Sequence, residues 1–199
     1  MIGSNSAEIG GGMVNSISSK EELFSLFGNL NNETRKAYDP NGTKVFDEVN
    51  SNFNTDWVWA EPARFVARSF VAVGQPAFVY QFGFVPDPLK ERMPYGAGHG
   101  SEVSFVFNNL HARWGNPETT PEDKKVAEMM NAYWVNFAKT GNPNGEGLPE
   151  WPVFTAEENE ILDIERDGST IGKPDPRKGR LDVIEKSLNS RHKIQARGI

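Results

Sequence analysis

Proton transfer near neutral pH needs an imidazole or carboxyl group that is held in place yet open on one side. His99 meets that requirement locally. It stands in Tyr95-Gly96-Ala97-Gly98-His99-Gly100-Ser101-Glu102, where glycines on both sides let the backbone turn tightly and present the ring at an edge. Taken alone, a histidine in a glycine-rich loop is most often a surface turn residue. Glu8 occupies a second loop of this kind, Gly3-Ser4-Asn5-Ser6-Ala7-Glu8-Ile9-Gly10, and alone it reads as a solvated acid. The pair carries more than either member. Imidazole, with an ordinary pKa of about 6.5, can take a proton from a hydroxyl and return it to a leaving alcohol. A buried carboxylate on the other ring nitrogen fixes the tautomer and stabilises the imidazolium.

For these two groups to meet, the segments ahead of both loops must be neighbouring strands. Ala77–Phe82 is the clearest strand, apolar on both faces and bounded by Gly74 and Gly83, which is the pattern of a strand in the middle of a covered sheet. Met1-Ile2 reads as the last residues of another strand. Around them the pattern is mostly helical. Ser19 caps a short helix that Gly28 stops, and helical pattern returns over 43–51 and from Asp56 to about Val73, with Pro62 as a kink or a first-turn residue. The strongest helix runs over about 121–139. Thr120 caps it, Val126, Met130, Trp134 and Phe137 form its buried stripe, and Gly141 ends it. Pro152–Phe154 and Ile161–Ile164 are strand-like, Asp167-Gly168 is a turn, and a final helix covers about 179–189. Residues 187–199 read as a loose tail. One convincing strand is no sheet, so the expected class is α/β, mostly helical, with a few strands of a sheet that absent N-terminal sequence completes.

Composition narrows the function. The chain has 199 residues, 37% of them hydrophobic, with 13 Phe and 5 Trp, which is enough for one domain with a real core. A net charge of −6 disfavours nucleic acid and anionic membrane as partners. No apolar run is long enough to span a bilayer, and no signal peptide is visible. The sequence has no Cys, which excludes thiolate nucleophiles, disulfides and cysteine-based zinc sites. His111 and His192 lack partners at metal-ligand spacing. Gly168-Ser169-Thr170-Ile171-Gly172-Lys173 falls one residue short of a phosphate-binding loop, and Asp39-Asn41-Thr43 lacks the glycine and glutamate of a calcium loop. Neither cofactor nor metal is expected, and the compartment stays open.

Acid before base is the chain order of the Ser, Asp/Glu, His triad of α/β-hydrolases. At this point the motifs resemble one family, the type B carboxylesterases, which includes para-nitrobenzyl esterases and cholinesterases. Gly96–Val103 followed by Phe105-Val106-Phe107 looks like that family's loop around its histidine. Ile2–Glu8 looks like its loop around its glutamate. Pro76–Phe82 resembles the strand before the histidine loop, and Asn136–Asn144 with Trp151-Pro152 resembles its C-terminal segment. The likeness runs from residue 1 to about 186. It implies that His99 is the general base and Glu8 the acid that orients it, with Glu102 as an anchor behind them. It implies that residues 1–199 are the C-terminal portion of one α/β-hydrolase domain acting on a small-molecule carboxylic ester. Trp57 and Phe84 are candidate linings of an acyl or alcohol pocket, although Trp57, Trp59 and Trp134 are most simply core.

The departure from the family is large. Gly-x-Ser-x-Gly, the nucleophile elbow, is absent, and Gly10-Gly11-Gly12 falls after Glu8 and matches no oxyanion loop. The chain alone is therefore expected to be inactive. An N-terminal portion of the same hydrolase is the expected partner, and self-association through uncovered apolar surface is a further expectation. The other reading is a cholinesterase-like interaction module or a truncated product without chemistry. Retention of both Glu8 and His99 argues against the module.

Overall fold

The computed structural model describes residues 1–9, 17–112 and 118–196. Its sheet has four strands in the order β1 (Ile2–Asn5), β2 (Val79–Phe82), β3 (Glu160–Ile164) and β4 (Thr170–Pro174). The β1–β2 and β2–β3 pairs are parallel, and β3–β4 is an antiparallel hairpin. The register sets Ile2 opposite Val79 and Asn5 opposite Phe82, so β1 and β2 end side by side. Their loops leave from the same edge.

Helices cover both faces, because both faces of the central strands are apolar. On one side Phe78, Phe82, Leu162 and Ile164 pack with Val126, Met130 and Tyr133 of α6 (Pro121–Thr140). On the other, Val79 and Ile161 pack with Ala67 of α4 (Glu61–Ala72). A second cluster joins α1 (Lys20–Ser25), α2 (Asn31–Tyr38), α3 (Phe46–Thr55) and α7 (Lys178–Ala196) through Phe24, Tyr38, Phe53 and Val183. A single helical turn, α5 (Val103–Val106), follows the His99 loop.

Several expectations hold for visible reasons. Thr120 and Asp123 form a reciprocal capping box, Pro121 opens α6, and Gly141 closes it in the left-handed conformation. Pro62 sits in the first turn of α4, not in its interior.

Others are corrected. Ile161–Ile164 lies in β3 as expected, but β4 was not expected; the two form a hairpin that closes over Asp167-Gly168. Pro152–Phe154 is no strand. Pro152 has no N–H, and the segment is held by Trp151 Nε1 donating to Val79 O (2.9 Å) and Phe154 N–H to Ala77 O (2.8 Å). Trp134 and Phe137 are only half-buried, and Tyr133 takes the central place on α6. Phe65 and Phe70 face solvent, 67% and 53% exposed, while the buried side of α4 is Glu61, Ala63, Arg64 and Ala67. The final helix extends to Ala196 and takes in most of the residues read as a loose tail. Residues 10–16, within the glycine-rich loop after Glu8, and residues 197–199 lie outside the described part, as does the side chain of His192.

Behind the sheet lies a layer of buried charge. Arg177 pairs with Asp175 at 2.9 Å, their side chains 5% and 4% exposed, and its Nη1 donates to Ser4 Oγ at 2.9 Å. Arg180 pairs with the fully buried Asp56 at 2.8 Å. Arg64 is held by Glu61 and Asp182, each at 2.6 Å, and by Glu185 at 3.3 Å. These pairs tie α7 to α4, to the end of α3 and to β1.

Candidate active site

The β1 and β2 edges bring the two loops together, and two backbone bonds and one to a serine hydroxyl zip them. Ala7 N–H donates to Ala97 O, Ala97 N–H to Ser6 Oγ and His99 N–H to Glu8 O, at 2.9, 2.9 and 3.0 Å. Gly96 is required at this junction. Its φ is +137°, and a Cβ there would collide with the Ser6 side chain.

The side chains meet where the loops do. His99 Nδ1 lies 2.7 Å from Glu8 Oε2. A carboxylate only accepts, so against it Nδ1 carries the proton and Nε2 keeps its lone pair. Nε2 has no hydrogen-bond partner among the described residues. The two groups differ in setting: the Glu8 side chain is 6% exposed and the His99 side chain 71%. One is anchored inside, and the other is offered to whatever approaches.

Glu8 is held from three directions. Its Oε1 accepts the Asn5 N–H at 2.7 Å, its Oε2 faces His99, and its own N–H donates to Thr55 Oγ1 at 3.0 Å. Asn5 is the hub. Its Nδ2 donates to Gly98 O (2.7 Å) and to Glu102 Oε2 (2.6 Å). Glu102 is thus tied to the Glu8 loop through its hydrogen bond with Asn5. Burial raises the Tyr80 phenol well above its ordinary range, and the carboxylates of Glu102 and Glu8 push the same way. Tyr80 therefore stays neutral and donates no charge to the site.

Beside His99 opens a cavity of about 700 Å³ lined by Phe84, Leu89, Met93, Val103, Phe105 and Phe107, with Ser101, Ser104 and Asn109 among its polar groups. Phe84 is among the residues that line it. Trp57 does not: it packs against Phe27 and Phe53 in the helical cluster, with ring centroids 6.4 and 5.7 Å away. The tryptophan at the site is Trp59, whose ring centroid is 5.8 Å from that of His99. Asn5, Thr55 and Trp59 were not singled out as site residues from the sequence. Asn5 had a faint signal, an amide at the strand end just ahead of Glu8. Thr55 and Trp59 had none, since their role depends on how α3 approaches the loops. Among the described residues no group of three or more His, Asp or Glu could hold a metal ion, and no helix is long and apolar enough to cross a membrane.

The sequence profile of the carboxylesterase family matches residues 14–182. Cocaine esterase of Homo sapiens is 42% identical over 106 residues, which is 52% of this chain and 18% of that protein. Carboxylesterase 5A of Canis lupus familiaris is 38% identical over 116 residues, 55% of this chain and 20% of that protein. A solved para-nitrobenzyl (PNB) esterase superposes with a TM-score of 0.65 at 26% identity, over 90% of this chain and 37% of that one. Carboxylesterase Est55 of Geobacillus stearothermophilus gives 0.64 at 26% identity, over 83% and 35%. The chain spans about a fifth of the length of the curated relatives it matches. Its four-stranded open sheet is accordingly part of an α/β-hydrolase fold, and the chain belongs to the carboxylesterase family.

Proposed function

We propose that this chain supplies the acid and the general base of a Ser–Glu–His triad in a carboxylic-ester hydrolase, and that sequence outside it supplies the serine and the oxyanion hole. The observation that carries this reading is the 2.7 Å contact between His99 Nδ1 and a Glu8 carboxylate that is itself fixed by Asn5. In that scheme Nε2 takes the proton of the serine hydroxyl as it attacks the ester carbonyl. Glu8 stabilises the imidazolium that forms. The imidazolium then gives the proton to the leaving alcohol, and water repeats the cycle on the acyl-enzyme. Phe84 is proposed to line the pocket for part of the ester, and Glu102 to hold the geometry through Asn5.

The partner is an N-terminal portion of the same hydrolase. Two features support it: β1 pairs with β2 alone among the described strands, and Phe65, Phe70 and Val73 of the α4 region stand exposed. Self-association of the isolated chain would draw on the same surface.

The test has two arms. Alone, the chain should hydrolyse para-nitrophenyl acetate no faster than its His99→Ala variant, because loss of the nucleophile costs on the order of 10⁶ in comparable enzymes. Co-expressed with a portion carrying a Gly-x-Ser-x-Gly elbow, it should restore turnover that His99→Ala abolishes. Turnover that survives His99→Ala in the reconstituted protein would refute the assignment.

A further inference from the structure

We propose that Trp59 is a positioning residue for His99: a π-helical turn sets its indole against the imidazole, restricts the ring, and stabilises the ring's protonated form. The proposal rests on the reading of His99 as the base and goes beyond it.

Three observations carry it. First, the path from α3 to α4 is not a plain helix. Asp56–Ala60 form a π-helical turn, a form that adds a residue to the turn and recurs at functional sites. Its start is fixed by charge, since Asp56 is fully buried and paired with Arg180. Second, the turn delivers Trp59 to the site. The indole is half-buried and lies 5.8 Å from the His99 ring, centroid to centroid, with the planes inclined at 46°. Third, His99 needs such a wall. Its side chain is 71% exposed, and its hydrogen bond is to Glu8 on one nitrogen only. A single bond leaves the ring free to rock about it. A tilted ring contact on the other side restricts that freedom.

The same short stretch also holds the acid, because Thr55 Oγ1 receives the Glu8 N–H. Residues 55–59 therefore brace both members of the pair, the carboxylate through a hydroxyl and the imidazole through an indole. The electron-rich indole face attracts a cation within about 6 Å, and this attraction adds to that of Glu8 when the imidazole gains a proton. The charged groups tied to the His99 loop are Glu8, hydrogen-bonded to the ring, and Glu102, which reaches the loop through Asn5. Trp59 is the neutral contributor among them.

The experiment uses the 199-residue chain itself, without any nucleophile, so it stands or falls separately from ester turnover. The protonation midpoint of His99 is read from its ring-proton resonances, assigned by their loss in His99→Gln. In Trp59→Leu the midpoint should move down by about half a pH unit, a roughly threefold loss in the protonation equilibrium. Trp59→Phe should keep most of the wild-type value, because a ring is retained. Trp57→Phe should not alter it. An unchanged midpoint in Trp59→Leu, or an equal drop in Trp59→Phe, overturns the proposal. A second reading needs no change at Trp59. An imidazolium accepts an electron from an excited indole, so wild-type emission should fall on acidification from about pH 8 to about pH 5. His99→Gln, altered at an exposed side chain, should lack that fall. If it keeps the whole fall, the two rings are not in contact and the proposal fails.

Discussion

The loop edge of the sheet and the charged layer behind it both bury carboxylates, and they treat them in opposite ways. Behind the sheet the Asp175–Arg177 pair is closed on itself. Asp175 and Arg177 are both nearly inaccessible, and the guanidinium also reaches Ser4. At the loop edge only one partner is enclosed. Glu8 is buried and saturated, while His99 stands open. A closed ion pair can only hold structure, since its desolvation is offset by its own partners. A pair with one open member can exchange a proton with something outside. Exposure of the second partner, more than the presence of charge, separates the two roles.

The comparison can be broken by changing each region and reading stability. The largest loss should come from Arg177→Ala, which strands Asp175 in the interior and frees Ser4. We expect about 3–5 kcal/mol, measured by urea unfolding. His99→Gln, at the open member of the other pair, should stay within about 0.5 kcal/mol of wild type. Equal losses in the two variants would erase the distinction between closed and open pairs.

Next in size is Gly96→Ala. The new Cβ collides with Ser6, and a φ of +137° disfavours any residue with a side chain. The expected cost is about 1–3 kcal/mol. The diagnostic consequence is local: the His99 to Glu8 hydrogen bond should be lost while the unfolding of the α1–α3 cluster stays cooperative. An intact bond in that variant would show that the loop zipper does not set the geometry.

The smallest effect tests pH. Burial raises the Glu61 carboxyl from its ordinary 4.5 to about 7, although Arg64 pulls it back in part. A carboxyl whose folded value lies above its unfolded one stabilises the fold fully at low pH and loses that contribution as pH rises. Glu61 should therefore weaken the fold between about pH 4.5 and about pH 7. Asp175 works the other way. Burial pushes it up, but Arg177 outweighs burial and holds it below its ordinary 3.8, so its contribution is lost only on acidification. Glu61→Gln should flatten the decline in urea midpoint between about pH 4.5 and about pH 7. The same decline in wild type and variant would remove Glu61 from the account.

Much of this could be read from residues alone, and what could not has a physical reason. The α6 helix was legible because its cap, its opening proline and its terminal glycine are local signals. β2 was legible because its stretch is apolar but for Gln81 and is bounded by glycines. β4 was not: Thr170-Ile171-Gly172-Lys173-Pro174 is an edge strand, half-exposed, with a proline at its end and no alternation to detect. α2 was missed because its sequence is polar and only Thr34 and Tyr38 are buried. Phe65 and Phe70 misled, since apolar spacing does not say which face meets the sheet. At the site, Glu8 and His99 stood out by residue type and loop context. Asn5, Thr55 and Trp59 gained their parts from tertiary approach, and the choice of Trp57 over Trp59 turned on a π-helical turn that spacing does not reveal.

The three hydrogen bonds between the loops, two of them backbone to backbone, bear on how a divided catalyst could assemble. Aligning an acid with a base costs conformational freedom, and here that cost is met when this chain folds rather than when its counterpart docks. A serine arriving from elsewhere would find the proton acceptor already oriented. Reconstitution would then be limited by surface fit, with little reorganisation left at the reacting atoms.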